Sequence, residues 1–159
     1  MAITTFSRDR LPLPYWLWFL WIDPVLSLTG VYGGLFAPQL LLLSYIPADN
    51  PNVVPNPAHA MIFNQLAGFF FLTFTLSTFM LRSTSDLVVW KYYQGAIAVV
   101  DVIICVATCL AFVDQGRLSP TMWRAEDWFG LLCTGMCAVL RVAFVLGVGL
   151  GGDSKRKTN

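Results

Sequence analysis

The sequence predicts an all-α fold, a bundle of four transmembrane helices, on two observations. The first is composition. Of 159 residues, 57% are hydrophobic and only 12% charged, against about 25% charged in an ordinary soluble domain. Too few charges remain to cover a water-facing surface, which excludes a soluble enzyme, and the apolar content excludes disorder. The second is the arrangement of the apolar residues. They fall in four long unbroken runs, residues 14–37, 60–81, 88–113 and 128–150. Each reaches the roughly 20 residues a helix needs to cross the hydrocarbon core. None shows the strict alternation of a membrane β-strand. The length allows one domain, residues 1–159, and a net charge of +1 gives no basic field for nucleic acid.

The first run, 14–37, is longer than a signal-peptide core and lacks a clear cleavage site, so it reads as a span. Residues 46–57, with four prolines and three asparagines, have turn chemistry. Residues 83–87 form a tight link and 114–127 the third loop. Such short connections make sequential helices antiparallel neighbours. Arg8, Arg10, Arg82, Lys91, Lys155, Arg156 and Lys157 fall on one side, and Arg117 and Arg124 on the other. The excess of positive charge places both termini in the cytosol. Trp16, Trp18, Trp90, Trp123 and Trp128 lie near span ends, where aromatic belts belong. Asp127 is placed to cap the fourth helix.

Three ionisable residues lie inside the spans: Asp23, Asp101 and Arg141. Each costs at least about 2.5 kcal/mol in hydrocarbon, so each is a functional candidate. At 1.5 Å per residue they sit roughly 14, 16 and 15 Å from the cytosolic ends of their helices. They therefore share one layer. In the hairpin of the third and fourth spans, Asp101 and Arg141 fall at equal depth, which predicts an ion pair. Asp23 is then left without a cation and keeps its proton, as a general acid needs. Pro24 has no N–H, frees the carbonyl of Leu20 one turn earlier and can kink the helix. Gln94, Asn64, Gln65 and Thr134 are expected to line a pocket and bind substrate, with helix-to-helix hydrogen bonding as the alternative role.

Other signals are weaker. Cys105, Cys109, Cys133 and Cys137 have CxxxC spacing, which fits neither a redox CxxC nor a zinc site, so no metal is expected. No nucleotide loop is present, and no cofactor is expected. His59 reads as an interfacial histidine. The segment 123–128 reads as capping, or as a lid over the bundle.

Trp21-Ile22-Asp23-Pro24, the link from Leu81 to Lys91, Asp101, Trp123-Arg124-x-x-Asp127-Trp128 and Arg141 together resemble a family of small fungal four-span membrane proteins. That family is classed as a domain of unknown function, and the resemblance covers nearly the whole chain. Its helix-one acid is more often Glu. Some members occur in secondary-metabolite clusters, which implies a lipophilic polyketide or terpenoid as partner. The resemblance transfers no catalytic residues. The size and the buried charges are also similar to sterol-isomerase bundles, a likeness of fold alone.

The reading favoured by these residues is a multi-pass membrane enzyme for acid–base chemistry on a lipophilic intermediate: epoxide opening or hydrolysis, cyclisation or isomerisation. Asp23 would protonate the leaving oxygen, Asp101 would activate the nucleophile and Arg141 would orient Asp101. The alternatives are a non-catalytic scaffold or sterol/lipid-binding protein and, third, a small transporter. The expected partners are the bilayer, a lipophilic small molecule, and either a second copy or other membrane enzymes of a pathway. The endoplasmic reticulum is the default location.

Overall fold

The computed structural model describes residues 11–150, and all of its regular elements are helical. Helix α1 spans Leu13–Phe36, α2 Pro38–Tyr45, α3 Pro57–Ser83, α4 Leu87–Asp114 and α5 Ala125–Val145. Four of them, α1, α3, α4 and α5, are long and apolar enough to cross a membrane. The basic residues Arg8, Arg10 and Lys155 to Lys157 lie outside the described residues.

The elements follow from local chemistry. Asn50, Asn56 and Asp86 each accept a backbone N–H two residues on, from Asn52, Ala58 and Val88. These contacts start the short turn Pro51–Val53 and the first turns of α3 and α4. Helix α4 ends at Gly116 (φ 66°), where Gly116 N–H donates to Val113 O and Arg117 N–H to Phe112 O. Helix α5 ends in the same left-handed glycine cap: Gly147 has φ 84°, and Val148 N–H donates to Ala143 O at 2.9 Å. That cap corrects the expected boundary at 150, because hydropathy continues past a residue whose backbone stops the helix. The eight-residue α2 is an addition. It is apolar but far too short to span.

Two pairs of helices make the bundle. In the first, α1 and α3 approach closely at glycines. A Cβ on Gly34 would lie 2.8 Å from both Ala67 Cβ and Phe63 O, and one on Gly30 would lie 2.5 Å from the Phe70 ring. In the second, α4 and α5 face each other across Asp101 and Arg141. The buried face of α4 carries Trp90, Gln94, Asp101, Thr108 and Phe112, and its outer stripe of Val99, Ile103, Val106 and Leu110 is exposed. An apolar stripe facing outward is the face a lipid solvent requires.

The pairs join at one end through Leu11, Tyr15, Phe19, Leu20, Leu81, Trp90, Tyr93 and Phe144. The Phe144 ring meets Tyr15 and Phe19 edge-on, both at 5.3 Å. Trp90 is completely buried here, so it belongs to the core and not to an aromatic belt. Its indole N–H donates to Thr84 O at 3.2 Å. At the opposite end, the segments 43–46 and 115–127 are tied together. Arg124 donates to Leu43 O and Ile46 O, Gln115 to Tyr45 O, and Asp127 accepts from Arg117 at 2.5 Å and from Arg124 at 2.7 Å. The hydrogen bonds that Arg124 donates to Asp127 push its guanidinium above the usual range, so it stays charged.

Gly34→Ala is expected to force α1 and α3 apart and to cost about 1–3 kcal/mol. Gly68→Ala, whose Cβ would meet nothing within 4 Å, is expected to cost nothing. Thermal unfolding in detergent compares the two.

Candidate functional site

The position of Asp23 is set by a break in α1. Residues Trp18–Ile22 form a π-helical turn, and the Asp23 N–H donates to Trp18 O, five residues back. Such turns occur frequently at functional sites. The Leu20 carbonyl, which Pro24 cannot serve, accepts from Arg82 Nη2 at 2.5 Å. The Arg82 guanidinium also lies over the Trp21 ring, 4.6 Å from its centre. The expectation that Pro24 frees Leu20 O is thus met, with a partner from α3 that the sequence did not suggest.

A second π turn, Leu76–Met80, lies on α3 and touches the first. It carries the fully buried Ser77. Ser77 Oγ and Tyr93 Oη are 2.7 Å apart, and Tyr93 donates onward to Thr73 O. This network packs beside the charged cluster.

At the centre, Arg141 is 1% exposed, Asp23 6% and Asp101 7%. Arg141 Nη2 donates to Asp23 Oδ1 at 2.6 Å, Nη1 donates to Asp101 Oδ2, and Nε donates to Gln94 Oε1 at 3.0 Å. One guanidinium thus binds groups from α1 and from α4. Asp23 is not left without a cation, which corrects the expectation of a single Asp101–Arg141 pair. That expectation treated the α4–α5 hairpin alone, whereas the fork of an arginine serves two carboxylates at once. Asp23 Oδ2 and Gln94 Nε2 are buried and have no hydrogen-bond partner among the described residues.

A cavity of about 260 Å³ opens over this cluster. Asp23, Asp101 and Arg141 line its floor, Thr134 and Cys137 one wall, and Phe69, Phe70 and Phe129 lie farther out. Thr134 is therefore at the cavity, as expected. Gln94 is not among the lining residues and acts on Arg141 instead. Asn64 and Gln65 are exposed and lie away from the cavity, a correction to their expected place in a pocket. The packed face of α3 carries Ala67, Thr73 and Ser77. Gln65, two residues from Ala67, points to the other side of the helix, and Asn64, one turn before Ala67, lies beyond the packed part of that face and is exposed. The four cysteines are free thiols.

A family model described as a domain of unknown function, DUF7704, matches residues 8–151. The chain belongs to the DUF7704 family. The matched segment contains every residue of the charged cluster and both π turns. No curated protein and no solved structure matches the chain.

Replacing Arg141 by Leu strands two buried carboxylates and is expected to cost about 3–5 kcal/mol. Adding Asp23→Asn and Asp101→Asn to that variant is expected to restore most of the loss. Unfolding midpoints in detergent measure both.

Proposed function

We propose that this DUF7704 protein is a multi-pass membrane enzyme for acid–base chemistry on a lipophilic intermediate, with epoxide opening as the best-fitting reaction. The observation that carries the reading is Arg141 held between Asp23 and Asp101 at the floor of a cavity. Two carboxylates and one guanidinium leave one negative charge in excess. A single proton on the cluster neutralises it, and an acid and a base of the same kind then face one space.

Asp101 takes a proton from water, or from a hydroxyl of the substrate, as that oxygen attacks an epoxide carbon. The carbon–oxygen bond of the epoxide breaks, and its oxygen takes the proton of Asp23. The product is a diol or a cyclic ether with a new hydroxyl. The proton count of the cluster is unchanged, and the proton passes from Asp101 back to Asp23 beside Arg141. Asp23 Oδ2, buried and without a hydrogen-bond partner among the described residues, is the oxygen left to carry that proton. Gln94 and Arg141 are positioning groups. Cyclisation or isomerisation would use the same pair.

The finer topology belongs to the same proposal. Sequential spans run antiparallel, and both termini lie in the cytosol. The contacts of Gly30 with Phe70, Gly34 with Ala67 and Arg82 with Leu20 support the first point. The distribution of Lys and Arg supports the second. We place the protein in the endoplasmic reticulum of a fungus, acting on a polyketide or terpenoid, with a second copy or other pathway enzymes as neighbours. The second reading is a scaffold or lipid binder. It is favoured by the same bridge, which would then serve only to join the two helix pairs.

Deleting the gene and profiling lipid-extracted metabolites of the host tests the proposal. An epoxide or uncyclised precursor is expected to accumulate and to be cleared on complementation with the wild type. Asp23→Asn or Asp101→Asn is expected to lower clearance by about 10²–10⁴-fold. An unchanged profile, or full rescue by both variants while they still insert, overturns the enzymatic reading in favour of the scaffold.

A further inference from the structure

The cavity over the charged cluster has a neighbour. A second cavity of about 430 Å³, open to the outside and lined by exposed residues except at half-buried Gly130, lies toward the end of the bundle that carries the 43–46 and 115–127 segments. Its lining is Ser44, Tyr45, Ala125, Glu126, Phe129 and Gly130. Three of these residues, Tyr45, Phe129 and Gly130, also line the inner cavity. The two spaces therefore border on one ring of three shared residues.

That ring is open on the α5 side. A Cβ on Gly130 would meet nothing within 4 Å among the described residues, whereas one on Gly30, at the far wall, would strike the Phe70 ring. On the other side stands Tyr45, the last residue of α2. Its carbonyl accepts from Gln115 Nε2 at 3.2 Å, and the carbonyls of Leu43 and Ile46 on either side of it accept from Arg124. The backbone at this wall is thus fixed by groups from the α4–α5 connection. Glu126 and Ser44 stand in the outer cavity, and aromatic rings stand along the way inward. A path that starts beside polar groups, passes aromatic rings and ends on carboxylates suits an amphiphile.

We propose that Tyr45, Phe129 and Gly130 frame a portal joining the two cavities into one ligand path, with Gly130 setting its width. An elongated lipophilic substrate enters at the loop end, places its reacting group on Asp23 and Asp101, and keeps the rest of its length in the outer cavity. The part concerning the substrate rests on the enzymatic reading. The portal itself does not.

Native thiols report on it. Cys133 lines the inner cavity, three residues beyond Gly130 on α5, while Cys109 is exposed on α4. Two single-cysteine proteins, one keeping Cys133 and one keeping Cys109 with the others changed to Ala, are reconstituted in phosphatidylcholine vesicles. Both are treated with methyl methanethiosulfonate. Gly130→Phe is expected to slow modification of Cys133 by about tenfold or more and to leave Cys109 within about twofold, because thiol exchange requires access. Gly130→Leu serves if the Phe variant does not insert, and Tyr45→Ala is expected to accelerate Cys133. Unchanged Cys133 rates in the inserted Gly130 variant overturn the portal. If Gly130→Phe protects Cys133 but the wild type clears no precursor in the host, the portal stands and the substrate's part falls.

Discussion

A guanidinium held in the middle of a membrane protein has few stable surroundings, and those of Arg141 organise this molecule. Removing a charge from water costs several kcal/mol even after relaxation, and the cost is recovered only with good geometry and further hydrogen bonds. Arg141 meets both conditions by drawing one carboxylate from α1, another from α4 and an amide oxygen from Gln94. The two helix pairs are thereby bound together at mid-depth. The aromatic cluster around Phe144 closes the bundle on one side of that bond, and the cavity lies on the other. Site and scaffold thus depend on the same contact.

The backbone is bent to make that contact. A regular helix through Asp23 and Pro24 would leave the Leu20 carbonyl unpaired in an apolar medium, at a cost of several kcal/mol. The π turn shifts the phase of α1 by one residue, and Arg82 supplies the missing donor. A matching turn on α3 lies against the first and brings Ser77 to Tyr93. Irregular backbone at this depth is tolerated where it is buried in protein or lines a cavity. Here the buried Phe19, Leu20 and Ser77 pack parts of both turns against protein, and the cavity lining begins one residue beyond the first turn, at Asp23.

Much of this was legible in the sequence. The four spans are legible because lipid selects for length and hydropathy alone. Asp23, Asp101 and Arg141 stand out because an intramembrane charge is expensive, and counting residues from the span ends places them in one layer. The consequence of Pro24 for Leu20 O follows from the missing N–H. What was not legible depends on rotation and on contacts distant in sequence. The amides of Asn64 and Gln65 mark polar chemistry but not the side of α3 they occupy. That Arg141 serves Asp23 as well as Asp101, and that Gln94 braces it, needs the position of α1 against the α4–α5 pair. Helix α2 is hidden because its four leucines, residues 40–43, continue the hydropathy of α1 across Pro38. The end of α5 at Gly147 is set by backbone conformation, which hydropathy does not register.

In the proposed mechanism the Asp23–Arg141–Asp101 cluster carries one proton, shared as acid and base. Infrared spectroscopy of protein with ¹³C-labelled aspartate, in lipid nanodiscs at neutral pH, reads it directly. One protonated-carboxyl band is expected in the wild type, absent in both Asp23→Asn and Asp101→Asn because the remaining carboxylate then balances Arg141 alone. A wild-type spectrum without such a band, or a band that survives in both variants, would contradict it.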